Sequence, residues 1–212
     1  MLLRDPETQI IGQHSLYDPN YLDFGDASRS TGIMATFGSK LDQEIILKHL
    51  TSKGFVRHPN QQPWNDPKNF SRDQLICLAS GLYRSNQSKV VRSEFYRRRY
   101  WFGLCPNGDF LGPEFYLHLI LCGKIFELYW LFPILIWFQI LHILWATKIN
   151  PEHEQNQTIC LADRSGLLFL WAKLHINWKA SVMYYWARWR DQKEISEYLI
   201  EQIELKVQKQ LE

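Results

Sequence analysis

The run from Leu128 to Thr147, LYWLFPILIWFQILHILWAT, holds twenty residues without a formal charge when His142 is neutral. No other stretch limits the fold as tightly. At a helical rise of about 1.5 Å per residue the run extends about 30 Å, the thickness of a bilayer core. It reads either as a transmembrane span or as a central helix enclosed by protein on every side. Trp130, Trp145 and Tyr129 near its ends suit membrane interfaces, whereas Pro133, Trp137, Gln139 and His142 suit a buried helix. Lys124 and Glu127 before the run, with Lys148 and Glu152 after it, give it no preferred orientation. The expectation is a membrane-associated chain.

The segments around this run are mostly helical in pattern. Residues 1–30 show no period and read as an N-terminal arm of turns. From Thr31 to Lys53 the apolar positions Ile33, Met34, Phe37, Leu41, Ile45, Ile46 and Leu50 recur at helical spacing, with Gly54 as a stop. Pro59, Pro63 and Pro67 make residues 54–69 a loop. Ser71-Arg72-Asp73-Gln74 matches a capping box for a helix that ends near Ser85. A short basic helix follows over Lys89–Tyr100, and a long apolar stretch begins at Glu114. Residues 164–189 carry an aromatic stripe edged by Lys and Arg, and 191–212 form a charged amphipathic helix. The expected class is all-α: five to six helices with long polar loops and one central apolar helix, the candidate span 128–147. In segments this gives an arm (1–30), a helical domain (31–190) and a C-terminal helix (191–212).

Charge and motifs remove several functions. Lys and Arg total 24 against 22 Asp and Glu, so a net charge of +2 gives no broad field for nucleic acid. Arg97-Arg98-Arg99 beside Tyr96, Tyr100 and Trp101 is the one local exception, and next to an apolar run it meets anionic lipid more simply. Cys77, Cys105, Cys122 and Cys160 form no C-x-x-C pair and read as free thiols. The chain has no P-loop, no dinucleotide fingerprint, no nucleophile elbow and no zincin motif. Arg4, Asp5, Pro6 and Glu7 stand where a signal peptide needs an apolar run, so none is expected.

Three polar clusters remain, each placed before an expected helix: Gly25 to Gly32, Trp64 to Gln74, and Asn107 to Glu114. If the three helices pack in parallel, the clusters gather at one end. There the helix dipoles add to Arg29 and Arg72. Asp26, Asp66, Asp73 and Asp109 are the candidate catalytic carboxylates, and Arg29, Arg72, Trp64, His58 and Glu114 the candidate ligand-binding groups. Such a site suits a glycan or an anionic small ligand. It needs no cofactor, although its oxygen-rich groups would accept a divalent cation. The same residues also read as ordinary caps and turns.

The placement of these loops, with N-D-P-x-x-x-S-R-D-Q at Asn65–Gln74, resembles the helical-toroid, or (α/α)-barrel, enzymes that cleave or rearrange polysaccharides. The likeness covers about residues 20–120. It implies catalytic carboxylates at Asp66, Asp73 or Asp109, and the chain holds half the helices of a full toroid. The first functional expectation is therefore a membrane-associated hydrolase or lyase acting on a glycan or anionic envelope molecule. The second is a non-enzymatic membrane scaffold or envelope-perturbing protein. The third is nucleic-acid or lipid contact through Arg97–Arg99.

Overall fold

A computed structural model describes residues 2–15, 18, 20–36, 38–97, 106–108 and 113–138. The chain divides into one compact unit, Leu3–Pro133, and a second made of Met1–Leu2 and Ile134–Glu212. The first unit is mostly helical, with two very short hairpins. Strands β1 (Gln13–His14) and β2 (Leu22–Asp23) pair antiparallel, as do β3 (Leu50–Thr51) and β4 (Gly54–Phe55). The helices are α1 (Ala27–Thr36), α2 (Lys40–Ile45), α3 (Arg72–Arg84), α4 (Ser88–Tyr96) and α5 (Pro113–Cys122).

The helix expected over Thr31–Lys53 is in fact α1, α2, one 3-10 turn (Ile46–His49) and the start of a hairpin. Gly38 causes the break. Its φ of +97° ends α1 in a Schellman motif, with Gly38 N–H donating to Ala35 O (3.1 Å) and Ser39 N–H to Met34 O (3.0 Å). Ser39 then caps α2, its hydroxyl accepting from Asp42 N–H at 3.3 Å. The same motif ends α3 at Asn86 (φ 60°) and α5 at Lys124 (φ 51°). Lys124 takes this left-handed conformation against a steric cost of about 1–2 kcal/mol, which the buried Ile125 behind it offsets.

The break at Lys124 also revises the central apolar helix. The chain leaves α5 and enters a 3-10 segment, Phe126–Leu131, in which no residue is buried. Residues 132–138 are again helical, and 139–147 lie outside the described residues. Among the described residues no helix is long and apolar enough to cross a membrane. The stripe at 164–189 and the helix at 191–212 also lie outside them.

The helix enclosed on every side is instead α1, whose ten residues are all buried. It is short and polar, AlaSerArgSerThrGly in its first six positions, and so looked like a loop. Its packing against α3 is backbone to backbone: a Cβ on Gly32 would lie 2.3 Å from the carbonyl of Cys77. Contacts ascend together along both helices, Ser28 with Gln74, then Gly32 with Cys77 and Gly81, so α1 and α3 are parallel. Helix α5 joins them in the same sense, with Arg72 over the Phe115 ring at 5.2 Å and Ser80 against His118 at 2.8 Å. Ile33, Ile76, Leu78, Leu119 and Ile120 on these helices are buried.

Candidate functional site: the shared N-terminal end of α1 and α3

Parallel packing carries the first two polar clusters to one place. Arg29, in the first turn of α1, donates through Nη2 to Asp26 Oδ2 at 2.6 Å and through Nη1 to Asp73 Oδ2 at 3.1 Å. Its side chain is 5% exposed, against 17% for Asp73 and 31% for Asp26. The remaining carboxylate oxygens are also engaged. Ser71 donates its hydroxyl to Asp73 Oδ1 at 2.6 Å, and Gln74 Nε2 donates to Asp26 Oδ1 at 3.1 Å.

Gln74 is the residue that the sequence pattern misplaces. Ser71 is the N-cap of α3, yet its side chain makes no capping bond, so the capping box is not formed. Gln74 turns across to α1. Its Oε1 accepts from the Ser28 hydroxyl and from Arg29 N–H (2.9 Å), while Nε2 donates to Gly25 O (2.9 Å). One fully buried amide thereby serves four groups from the start of α1, which makes the polar sequence there tolerable in a core.

Arg57 closes the site from the loop side, donating from Nη1 to Gly25 O and from Nε to Asn69 O, both at 2.6 Å. Its guanidinium lies 5.2 Å from the centre of the Trp64 ring. Trp64 is half-buried, its terminal ring atom would meet a Cβ on Gly25 at 3.6 Å, and its indole nitrogen is buried without a hydrogen-bond partner. No motif marks Arg57, and the motif that holds Gln74 assigns it to capping α3 instead. The two meet at the Gly25 backbone carbonyl, which accepts from both.

Other expected site residues lie elsewhere. Asp66 is exposed, and its carboxylate caps the 3-10 turn Pro67–Asn69 by accepting from Lys68 N–H at 2.9 Å. Arg72 lies over the Phe115 ring. Asp109 and the Glu114 side chain are outside the described residues, as are Arg98 and Arg99, while Arg97 pairs with Glu94 at 2.8 Å. No group of three or more metal-ligating side chains occurs among the described residues.

His58 is fully buried behind the site and engages the arm instead of facing solvent. Its Nδ1 accepts from Asn60 and Gln61 N–H, both at 3.2 Å, which puts the proton of the neutral ring on Nε2. Nε2 faces Thr8 Oγ1 at 3.1 Å and Asp5 Oδ2 at 3.5 Å, and Thr8 in turn donates to Asp5. Burial pulls the His58 pKa below its ordinary value despite Asp5 and Glu7 nearby. His49, also buried, is lowered to about 4 by desolvation. A further Ser–His pair, Ser80 and His118, resembles a nucleophile dyad but is locked in the core: the Ser80 proton goes to Ile76 O at 2.9 Å. Burial likewise raises the adjacent Cys122 thiol far above the usual thiol range. Comparison with protein-family models, curated proteins and solved structures returns no match for this chain.

Proposed function

We propose that the helical unit recognises a polyhydroxy ligand of the glycan class at the joint N-terminal end of α1 and α3, as the binding step of a hydrolase or lyase. The observation that carries this reading is the order of exposure within the ion-paired trio. The guanidinium of Arg29 lies inside, and the carboxylates of Asp73 and Asp26 lie toward solvent. Outward carboxylates accept hydroxyl donors and repel anions, so of the two ligand classes the sequence allows, the glycan fits better. Asp26, the more exposed, is the group for proton transfer, and Trp64 offers an indole face beside it. Arg29 then acts on the ligand only through the carboxylates it holds.

The test is reducing-end release from a panel of envelope and plant polysaccharides by wild type, Asp26→Asn and Asp73→Asn. Asp26→Asn should lose turnover by about 100-fold or more and stay folded, because Arg29 keeps Asp73 as a partner. Release by Asp26→Asn at the wild-type rate would contradict the assignment.

A second reading, membrane attachment, has its own support in Phe126 and Trp130, which are 65% and 66% exposed just beyond Lys124. It places the protein at a membrane either as the enzyme above or as a scaffold. Full-length wild type should sediment with membranes through a carbonate wash, and the pair Ile136→Lys with Ile140→Lys should become soluble with its circular dichroism unchanged. A soluble wild type whose paired variant unfolds would show that the apolar run is core.

A further inference from the structure

Residues 3–12 form a closed turn on themselves. Asp5 N–H donates to Ile10 O (2.9 Å), Gly12 N–H donates to Leu3 O (3.1 Å), and Arg4 pairs with Ile11 in a single antiparallel bridge. Two of its fastenings involve carboxylates. At one, Arg4 holds the buried Asp42 carboxylate, donating from Nη1 to Oδ1 at 2.9 Å and from Nη2 to Oδ2 at 2.8 Å. At the other, Thr8 and Asp5 meet His58 Nε2. His58 begins the loop that carries Trp64, and Trp64 O accepts both Arg57 and His58 N–H at 3.1 Å. One imidazole therefore joins the arm, through Nε2, to the loop that borders the candidate site, through Nδ1.

We propose that His58 is a proton-operated pin, and that its protonation frees the 58–66 loop and the 3–12 arm from each other. The reason is geometric. A second proton can enter only at Nδ1, and that atom is the acceptor for two backbone N–H groups. Protonation turns the acceptor into a third donor facing two donors, so the turn over residues 58–61 must open or the ring must leave.

The surrounding groups act in both directions. From the arm, Asp5 and Glu7 favour the charged ring. From the 3-10 turn, His49 stays neutral, its pKa lowered to about 4 by burial, and Lys48 Nζ adds a cation bound to Thr8 O at 2.9 Å. From the β2 end, the Phe24 ring lies 4.3 Å from the His58 ring, centre to centre, and excludes water. Arg57 is held by carbonyls on the loop side. The balance lowers the His58 pKa in the closed form, so the open form binds the proton more tightly. Falling pH through and below the ordinary histidine range accordingly favours opening. The device operates whatever ligand the site takes.

Hydrogen exchange of the full chain at about pH 7.5 and about pH 5, corrected for the intrinsic pH dependence, tests the pin. In wild type, exchange in residues 3–12 and 58–66 should rise about tenfold or more at the lower pH relative to that in α3. His58→Asn places Oδ1 where Nδ1 was, cannot be protonated, and should keep 58–66 equally protected at both pH values. His49→Asn, which keeps a donor for Val56 O, should respond as wild type does. An unchanged wild-type ratio, a His58→Asn variant that still responds, or loss of the response in His49→Asn would overturn the proposal. Independently of any variant, the histidine nitrogen spectrum of wild type should show an Nε2–H tautomer at neutral pH, with a titration midpoint shared by the Asn60 and Gln61 amides. An Nδ1–H tautomer, or a midpoint those amides do not share, would equally overturn it.

Discussion

Gly32→Ala is expected to abolish the native tertiary structure. The added Cβ would lie 2.3 Å from both the carbonyl carbon and oxygen of Cys77 and 2.6 Å from Leu78 N, all backbone atoms that no rotamer change moves. On the facing helix a Cβ at Gly81 would meet Gly32 O at 2.9 Å, so neither partner has space to give. Helices α1 and α3 would have to separate along their whole contact, pulling Gln74 away from the start of α1. The expected loss is about 3–5 kcal/mol, comparable with the entire stability of a small domain. Gly38→Ala is the control: it has open space but a φ of +97°, and should cost only about 1–2 kcal/mol. Urea unfolding followed by near-ultraviolet circular dichroism separates the two. A Gly32→Ala protein with a wild-type midpoint would show that the helices do not approach as described.

The second large effect is expected at Arg29→Met. The guanidinium bridges Asp26 and Asp73, and removing it leaves two neighbouring carboxylates at the end of a buried helix without that shared cation. Breaking a fully buried pair costs about 3–5 kcal/mol, and the partial exposure of both carboxylates reduces this to about 2–3 kcal/mol. Adding Asp73→Asn to Arg29→Met should recover part of the loss, because the repulsion then disappears with the charge. Asp26→Asn alone should cost about 1 kcal/mol or less, as its carboxylate is the most exposed member. Additive losses in the double variant would mean that the three groups do not act as one network.

Much of this arrangement was legible in the sequence because it follows from local signals. Ser71, Asp73 and the apolar spacing of Leu75, Leu78 and Leu82 place α3, and three polar clusters before helices point to a parallel arrangement with Asp26, Arg29 and Asp73 at one end. The remainder depended on contacts between distant residues. The start of α1 looked like a loop because much of its polarity is compensated by Gln74, 45 residues away from Arg29. The apolar spacing from Ile33 to Leu50 continues through Gly38, so the period alone hides a Schellman stop that only the conformation at that glycine reveals. His58, which looked like a loop histidine, owes its burial to Thr8, 50 residues earlier, and to Phe24. Likewise, the apolar stretch from Glu114 gave no sign that the chain turns at Lys124, because the lysine sits in a conformation usually left to glycine or asparagine.

In the proposed function Asp26 serves a ligand while Arg29 and Gln74 serve the fold. Saturation-transfer difference spectra of neutral oligosaccharides mixed with full-length wild type and with Asp26→Asn test it most directly. Transfer to at least one oligosaccharide is expected with wild type, and its loss in Asp26→Asn at an unfolding midpoint close to wild type. Transfer that persists undiminished in folded Asp26→Asn, or the absence of transfer to any glycan with wild type, would contradict it and leave the trio as an internal clamp between α1 and α3.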